Sequence, residues 1–207
     1  LAVNSAKLWL RRELKDGNIP RLDAMKGAAW VALYHFGYGD VERVIDRAVA
    51  TLKDVPETSI RERTLRFYQE EVRAQLRPGA RRVLDEHRGS GHRLVLLTSS
   101  SQYLSEAISD ELGLDAYLCN TFEVDAHGLF TGRAIRPLCF GRGKLDHARK
   151  LADELGVELA DCAFYTDSFS DLPMLEAVGE PVIVHPDPRL RRAARRRGWR
   201  IVDWDAD

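Results

Sequence analysis

From residue 8 to about residue 76 the apolar positions recur at helical spacing, and β-branched runs are absent. Trp30, Leu33, Tyr34 and Phe36 form one group, Val41, Val44, Ile45 and Val49 a second, and Leu65, Phe67, Tyr68 and Val72 a third. Gly37-Tyr38-Gly39-Asp40 supplies a stop followed by an N-cap, and Pro56-Glu57-Thr58 interrupts again. This spacing predicts a unit of three or four helices. After Arg77-Pro78-Gly79 the pattern changes. Short apolar runs at 93–98, 116–120, 162–167, 182–185 and 199–202 alternate with amphipathic helices at 101–112, 144–155, 171–177 and 188–197. Continuous apolar strands separated by helices predict a parallel sheet covered on both faces. Residues 122–125 and 129–134 depart from this rhythm and read as a hairpin with His127-Gly128 in its turn.

A sheet of that kind binds ligands at the carboxyl ends of its strands, and three stretches at such ends carry chemistry. Leu94-Val95-Leu96-Leu97-Thr98-Ser99-Ser100-Ser101 runs an apolar strand into hydroxyls. Beside the free N–H groups of a helix start, those hydroxyls make a cradle for phosphate; equally, they are ordinary helix caps. Phe164-Tyr165-Thr166-Asp167-Ser168-Phe169-Ser170-Asp171 places two carboxylates four residues apart directly after a strand. A hard, oxygen-seeking cation such as magnesium suits them, while the plainer reading is a turn at Asp167 and a cap at Asp171. Gly141-Arg142-Gly143-Lys144 opens a helix with a lysine that reaches a phosphate or neutralises carboxylates, unless it is simply solvated. It lacks the spacing of a P-loop.

Composition narrows the classes of partner. The 207 residues carry 31 Lys+Arg against 32 Asp+Glu, so overall charge attracts neither nucleic acid nor an anionic membrane. No apolar run approaches the roughly 20 residues of a membrane span. Cys119, Cys139 and Cys162 are too widely spaced for a Cys-x-x-Cys site and predict reduced thiols in a cytoplasmic protein, each a small core residue. Arg189-Leu190-Arg191-Arg192-Ala193-Ala194-Arg195-Arg196-Arg197 offers a route to nucleic acid, but as the solvated face of a terminal helix it needs no partner. None of the serines sits in a Gly-x-Ser-x-Gly elbow, and His35, His87, His92, His127, His147 and His185 show no zinc-like pairing.

The order of the three stretches resembles the second, third and fourth motifs of the haloacid dehalogenase superfamily. The whole chain is similar to its phosphoserine-phosphatase-like branch, down to the hairpin, Asp171-Leu172-Pro173-Met174-Leu175 and Pro186-Asp187-Pro188-Arg189-Leu190. The resemblance implies an α/β fold in which a Rossmann-like parallel core, residues 1–7 and 77–207, carries an inserted helical cap, residues 8–76. It also implies a Mg²⁺-dependent phosphomonoester hydrolase. Asp167 would coordinate Mg²⁺, Asp171 would hold the metal shell or orient the lysine, and Thr98 and Lys144 would bind phosphate with help from Ser99 and Ser100. The substrate would be a small phosphorylated metabolite such as phosphoserine or histidinol phosphate.

Such enzymes attack phosphorus with an aspartate and protonate the leaving group with a second aspartate two residues later. Both belong to a first motif, an apolar strand ending Asp-x-Asp-x-Thr, which this sequence lacks; it opens Leu1-Ala2-Val3-Asn4-Ser5, like the residues just after one. The resemblance thus predicts that the first, central strand of the core is missing. These 207 residues are then expected to be inactive and unable to complete the fold alone. An omitted N-terminal segment or a misassigned start is the expected cause, ahead of a strand supplied by another chain. The glutamate that meets the substrate ammonium in phosphoserine phosphatases maps near Asn4, and their glycine pair after the second motif is replaced by Ser99-Ser100, which disfavours phosphoserine. A reading of another class is a non-catalytic relative that binds a phosphorylated ligand or a protein partner.

Overall fold

A computed structural model describes residues 1–17 and 41–205. The first apolar group of the helical region, with the Gly37–Asp40 punctuation, lies outside the described residues. The chain divides into two compact units: residues 1–76, 100–112 and 120–135, and residues 77–99, 113–119 and 136–207.

In the first unit, α1 (Ser5–Lys15) begins at Asn4, whose side-chain oxygen accepts the N–H groups of Ala6 and Lys7. Helix α2 (Val41–Ala50) and α3 (Glu57–Phe67) come next. The chain then continues through a π-helical turn, Tyr68–Val72, and a 3-10 turn, Arg73–Gln75. Helix α5 (Gln102–Leu112) and the antiparallel hairpin of β3 (Phe122–Val124) and β4 (Phe130–Ala134) complete the unit. Ile60, Tyr103 and Phe130 form a buried cluster where α3, α5 and β4 meet. Around it the hairpin is stitched to the entry of α3 by Asp54 N–H to the Phe130 carbonyl, Phe130 N–H to that of Val55 and Glu57 N–H to that of Gly128, all 2.9–3.0 Å. Glu13 is buried on α1 and is paired with Arg63 of α3, as a buried carboxylate requires.

The second unit holds α4 (Pro78–Gly89), most of β1 (Val95–Ser101), β2 (Ala116–Asn120), α6 (Arg142–Leu155), β5 (Ala163–Thr166), the short α7 (Leu172–Leu175), β6 (Glu180–Val184), α8 (Pro188–Arg197) and β7 (Arg200–Val202). Strands β5, β6 and β7 pair in parallel in that order, and Val182, Ile183 and Val184 of the middle strand are buried. Leu145 and Ala148 of α6 pack with Ile183, Met174, Leu175 and Leu190 into one apolar cluster. Strands β1 and β2 form a separate sheet, so among the described residues β1 and β5 each end a sheet on one side. The α/β class with parallel strands and covering helices agrees with the sequence pattern. Two details do not. The apolar pattern ends the strand at the hydroxyl run and starts a helix there, yet β1 carries that run to Ser101 and α5 opens only at Gln102. Serine and threonine accept extended backbone readily, and no apolar periodicity marks the switch. Nor is β1 buried on both faces: each of its residues is exposed or half-buried, as an edge strand allows.

No helix among the described residues is long and apolar enough to cross a membrane. Gly179, entering β6, passes so close to the Ala160 backbone that a Cβ there would lie 1.8 Å from its carbonyl oxygen. Gly179→Ala is therefore expected to cost about 1–3 kcal/mol by forced backbone displacement, seen as a lower melting temperature in calorimetry. An unchanged melting temperature would show that this approach is relieved freely.

Candidate active site

Strand β5 ends at Thr166, and its hydroxyl organises the loop beyond the strand. Thr166 Oγ1 donates to Asp171 Oδ2 at 2.6 Å and accepts the Ser168 N–H at 3.2 Å. Asp171 itself is 2% exposed, and a carboxylate so far from water needs a cation. Lys144 supplies it: its ammonium stands 2.8 Å from Asp171 Oδ1 and its side chain is 8% exposed. Oδ1 has no conventional hydrogen bond, so among the described residues that ammonium is its close partner.

Lys144 reaches the interior because the chain before it is folded tightly. Phe140 N–H donates to the Leu138 carbonyl and Gly143 N–H to that of Phe140, at 2.8 and 2.9 Å. Position 143 must be glycine, since a Cβ would fall 2.0 Å from the Leu138 oxygen. This close approach seats the first turn of α6 against the loop and turns position 144 inward.

Asp167 contrasts with Asp171. It is exposed, and its carboxylate has no partner among the described residues. Its backbone is nevertheless fixed, because Asp187 clasps the loop from the end of β6. The Asp187 N–H donates to the Asp167 carbonyl at 3.0 Å. Asp187 Oδ2 accepts the Phe169 N–H at 2.7 Å, while Oδ1 caps α8 through the N–H groups of Arg189 and Leu190. The Arg189 guanidinium then lies 4.3 Å over the Phe169 ring.

The structure thus brings Lys144 and Asp171 into contact and puts Asp167 on the same loop. Thr98 is half-buried in the middle of β1 and Ser99 is exposed beside it, both in the second unit. Ser100 falls in the first unit. Sequence reasoning does not single out Thr166 and Asp187 as site-forming residues. A hydroxyl ending a strand, and an aspartate ahead of Pro188, are their only local signals. Among the described residues one group of three ligating side chains lies close together, His185, Asp203 and Asp205, beyond the ends of β6 and β7. It is already engaged. His185 Nε2 is 3.0 Å from Asp203 and accepts the Trp204 N–H at 2.9 Å, while Arg77 pairs with Asp205 and holds that carboxyl below the usual range.

A model of the haloacid dehalogenase-like hydrolase family matches residues 1–176. This chain belongs to that family. Within it, a Mycobacterium tuberculosis protein named phosphoserine phosphatase SerB1 is 37% identical over 138 residues, 67% of this chain and 44% of that protein. The chain therefore spans less than half the length of that curated relative. A histidinol-phosphatase of Neisseria meningitidis is 25% identical over 83% of this chain and 78% of its own length. A Bordetella pertussis protein of unknown function has the same fold, with a TM-score of 0.88 over 99% of this chain and 93% of that one, at 24% identity.

A buried ion pair is sensitive to losing one member alone. Lys144→Met, which strands the Asp171 carboxylate, is expected to lower stability by about 3–5 kcal/mol in urea denaturation. The double change Lys144→Met with Asp171→Leu should recover part of that loss. If the single variant were as stable as the parent, the pair would not be what holds this loop.

Proposed function

We propose that the protein is a magnesium-dependent phosphomonoesterase acting on a small phosphorylated metabolite through an aspartyl-phosphate. The observation that carries this reading is the buried Lys144–Asp171 pair set beside the free, exposed carboxylate of Asp167 at the end of β5. The donor set is all oxygen, which fits Mg²⁺; Asp167 would coordinate it, while Asp171, with both oxygens engaged by Lys144 and Thr166, would hold the metal shell or orient the lysine. Bound there, magnesium offsets charge on the transferring phosphoryl group.

This chain's own residues would do the rest of the binding. Lys144 donates to a phosphoryl oxygen, and Thr98 and the Ser99 backbone hold others. Asp171 keeps the ammonium aimed and charged. The covalent step needs an aspartate whose oxygen attacks phosphorus while the ester oxygen departs, taking a proton from a second aspartate two residues on. Water then cleaves the acyl phosphate. After an apolar strand, the Asp-x-Asp spacing occurs here at Asp203-Trp204-Asp205, where Arg77 pairs with Asp205. Strand β7 also stands one strand beyond β6, roughly 10 Å from β5. Asp203 and Asp205 are therefore not assigned the covalent step.

The names of the relatives support phosphoserine or histidinol phosphate as substrate types. Asn4 weighs against phosphoserine, because its side-chain oxygen is spent capping α1 rather than free for an ammonium group. Three free thiols suit a reducing, cytoplasmic setting.

Full-length protein assayed with p-nitrophenyl phosphate should turn over only with Mg²⁺ and lose activity in EDTA. Asp167→Ala should lower kcat/KM by about 100-fold or more. Absence of metal-dependent turnover in the parent, or full activity in the variant, would sink the proposal.

A further inference from the structure

Two consecutive peptide units carry the chain from Asp167 to Phe169, and all four of their polar groups are held. In the first unit, the Asp167 carbonyl accepts the Asp187 N–H at 3.0 Å and the Ser168 N–H donates to Thr166 Oγ1 at 3.2 Å. In the second, the Ser168 carbonyl accepts the Asp171 N–H at 3.2 Å and the Phe169 N–H donates to Asp187 Oδ2 at 2.7 Å. Thr166 and Asp171 belong to the loop and the strand it leaves. Asp187 reaches in from a distant part of the sequence and supplies two of the four bonds. Its other oxygen is committed to α8, where Oδ1 accepts the N–H groups of Arg189 and Leu190 at 2.8 Å each. Leu190 is fully buried, so that helix start is anchored in the core. One side chain therefore joins the fixed start of a helix to the peptide groups that follow Asp167.

We propose that Asp187 is a positioning residue for the carboxylate of Asp167, and that the affinity for Mg²⁺ is thereby set in part from the N-terminus of α8. Magnesium demands a near-ideal octahedral shell. Any freedom in the backbone behind a ligand is lost when the ion binds, and that loss weakens affinity. Asp187 removes the freedom beforehand by gripping the peptides that follow Asp167. Its own oxygens are spent on N–H groups, so it acts through Asp167 and not on the ion. The benefit for Mg²⁺ rests on the phosphatase reading, whereas the grip on the loop does not.

The plain alternative is that Asp187 does no more than cap α8. Serine and asparagine are as good at a helix N-cap as aspartate, but each offers one acceptor oxygen in place of two. Asp187→Ser and Asp187→Asn therefore keep the cap and give up the Phe169 bond. Two quantities would be measured on the full-length protein: hydrogen exchange of the Phe169 amide without metal, and the Kd for Mg²⁺, both by NMR. Asp187→Ser is expected to speed Phe169 exchange and to weaken Mg²⁺ by about 2–10-fold each, the worth of one hydrogen bond. Asp187→Asn should do the same, and it carries the test if the serine variant does not fold. A folded variant with parental Phe169 exchange, or with parental Mg²⁺ affinity, overturns the inference. Unfolding of both variants overturns it too, by making Asp187 a residue of the fold as a whole. A parent that binds no Mg²⁺, beside variants in which Phe169 still exchanges faster, would leave the grip standing and count against the phosphatase reading instead.

Discussion

A lysine and an aspartate, both nearly cut off from water, join the first turn of α6 to the loop after β5, and the arrangement of the site depends on that pairing. Neither charge is tolerable there alone, since each would forfeit its hydration without return. Together they fix where the helix begins and where the loop turns. Thr166 consumes the second oxygen of Asp171, which leaves the carboxylate little freedom to rotate. The neighbouring Asp167 then points outward on a backbone that Asp187 holds in place. One buried pair and one clasp thus produce two aspartates of opposite character four residues apart. One is structural and screened by a cation, and the other is available.

The two-part sheet gives this arrangement its setting. Strands β5 to β7 are packed by α6 and α8 around Ile183 and Leu190, so the Asp167–Asp171 loop rises from a well-filled core. The hydroxyl-bearing strand sits in a smaller sheet with a single partner. Its start is pinned by Asp115, which accepts the Leu94 N–H at 2.7 Å and donates its own to the Leu94 carbonyl.

Much of this is legible in the sequence because it rests on local rules. Helix α8 spans 188–197 and β2 spans 116–120, as the apolar pattern predicts. The hairpin turns where His127-Gly128 places it. Lys144, Asp167 and Asp171 stand out because residue type, strand end and order agree with a family pattern. Partnerships between distant positions are another matter. Asp187 meets Phe169 across 18 residues, and Cys139 meets Leu118 across 21. Periodicity describes which face of an element is apolar and says nothing of which side chain answers which backbone group. The hydroxyl run misleads for a related reason: four consecutive hydroxyl residues carry no apolar rhythm, so strand and helix cap read alike until the neighbours are known.

The missing side chain at position 143 also bears on how this lineage can drift. Any substitution there would drive an atom into the Leu138 carbonyl and lift the helix that aims Lys144. A compensating change cannot come from residue 138, because the obstacle is its backbone and is the same for all twenty amino acids. The site is closed to gradual exploration from within the loop. Escape would take an insertion or deletion that re-registers the turn, a much rarer event than a base change. Arg142, its exposed neighbour, meets no comparable obstacle and is open to exchange.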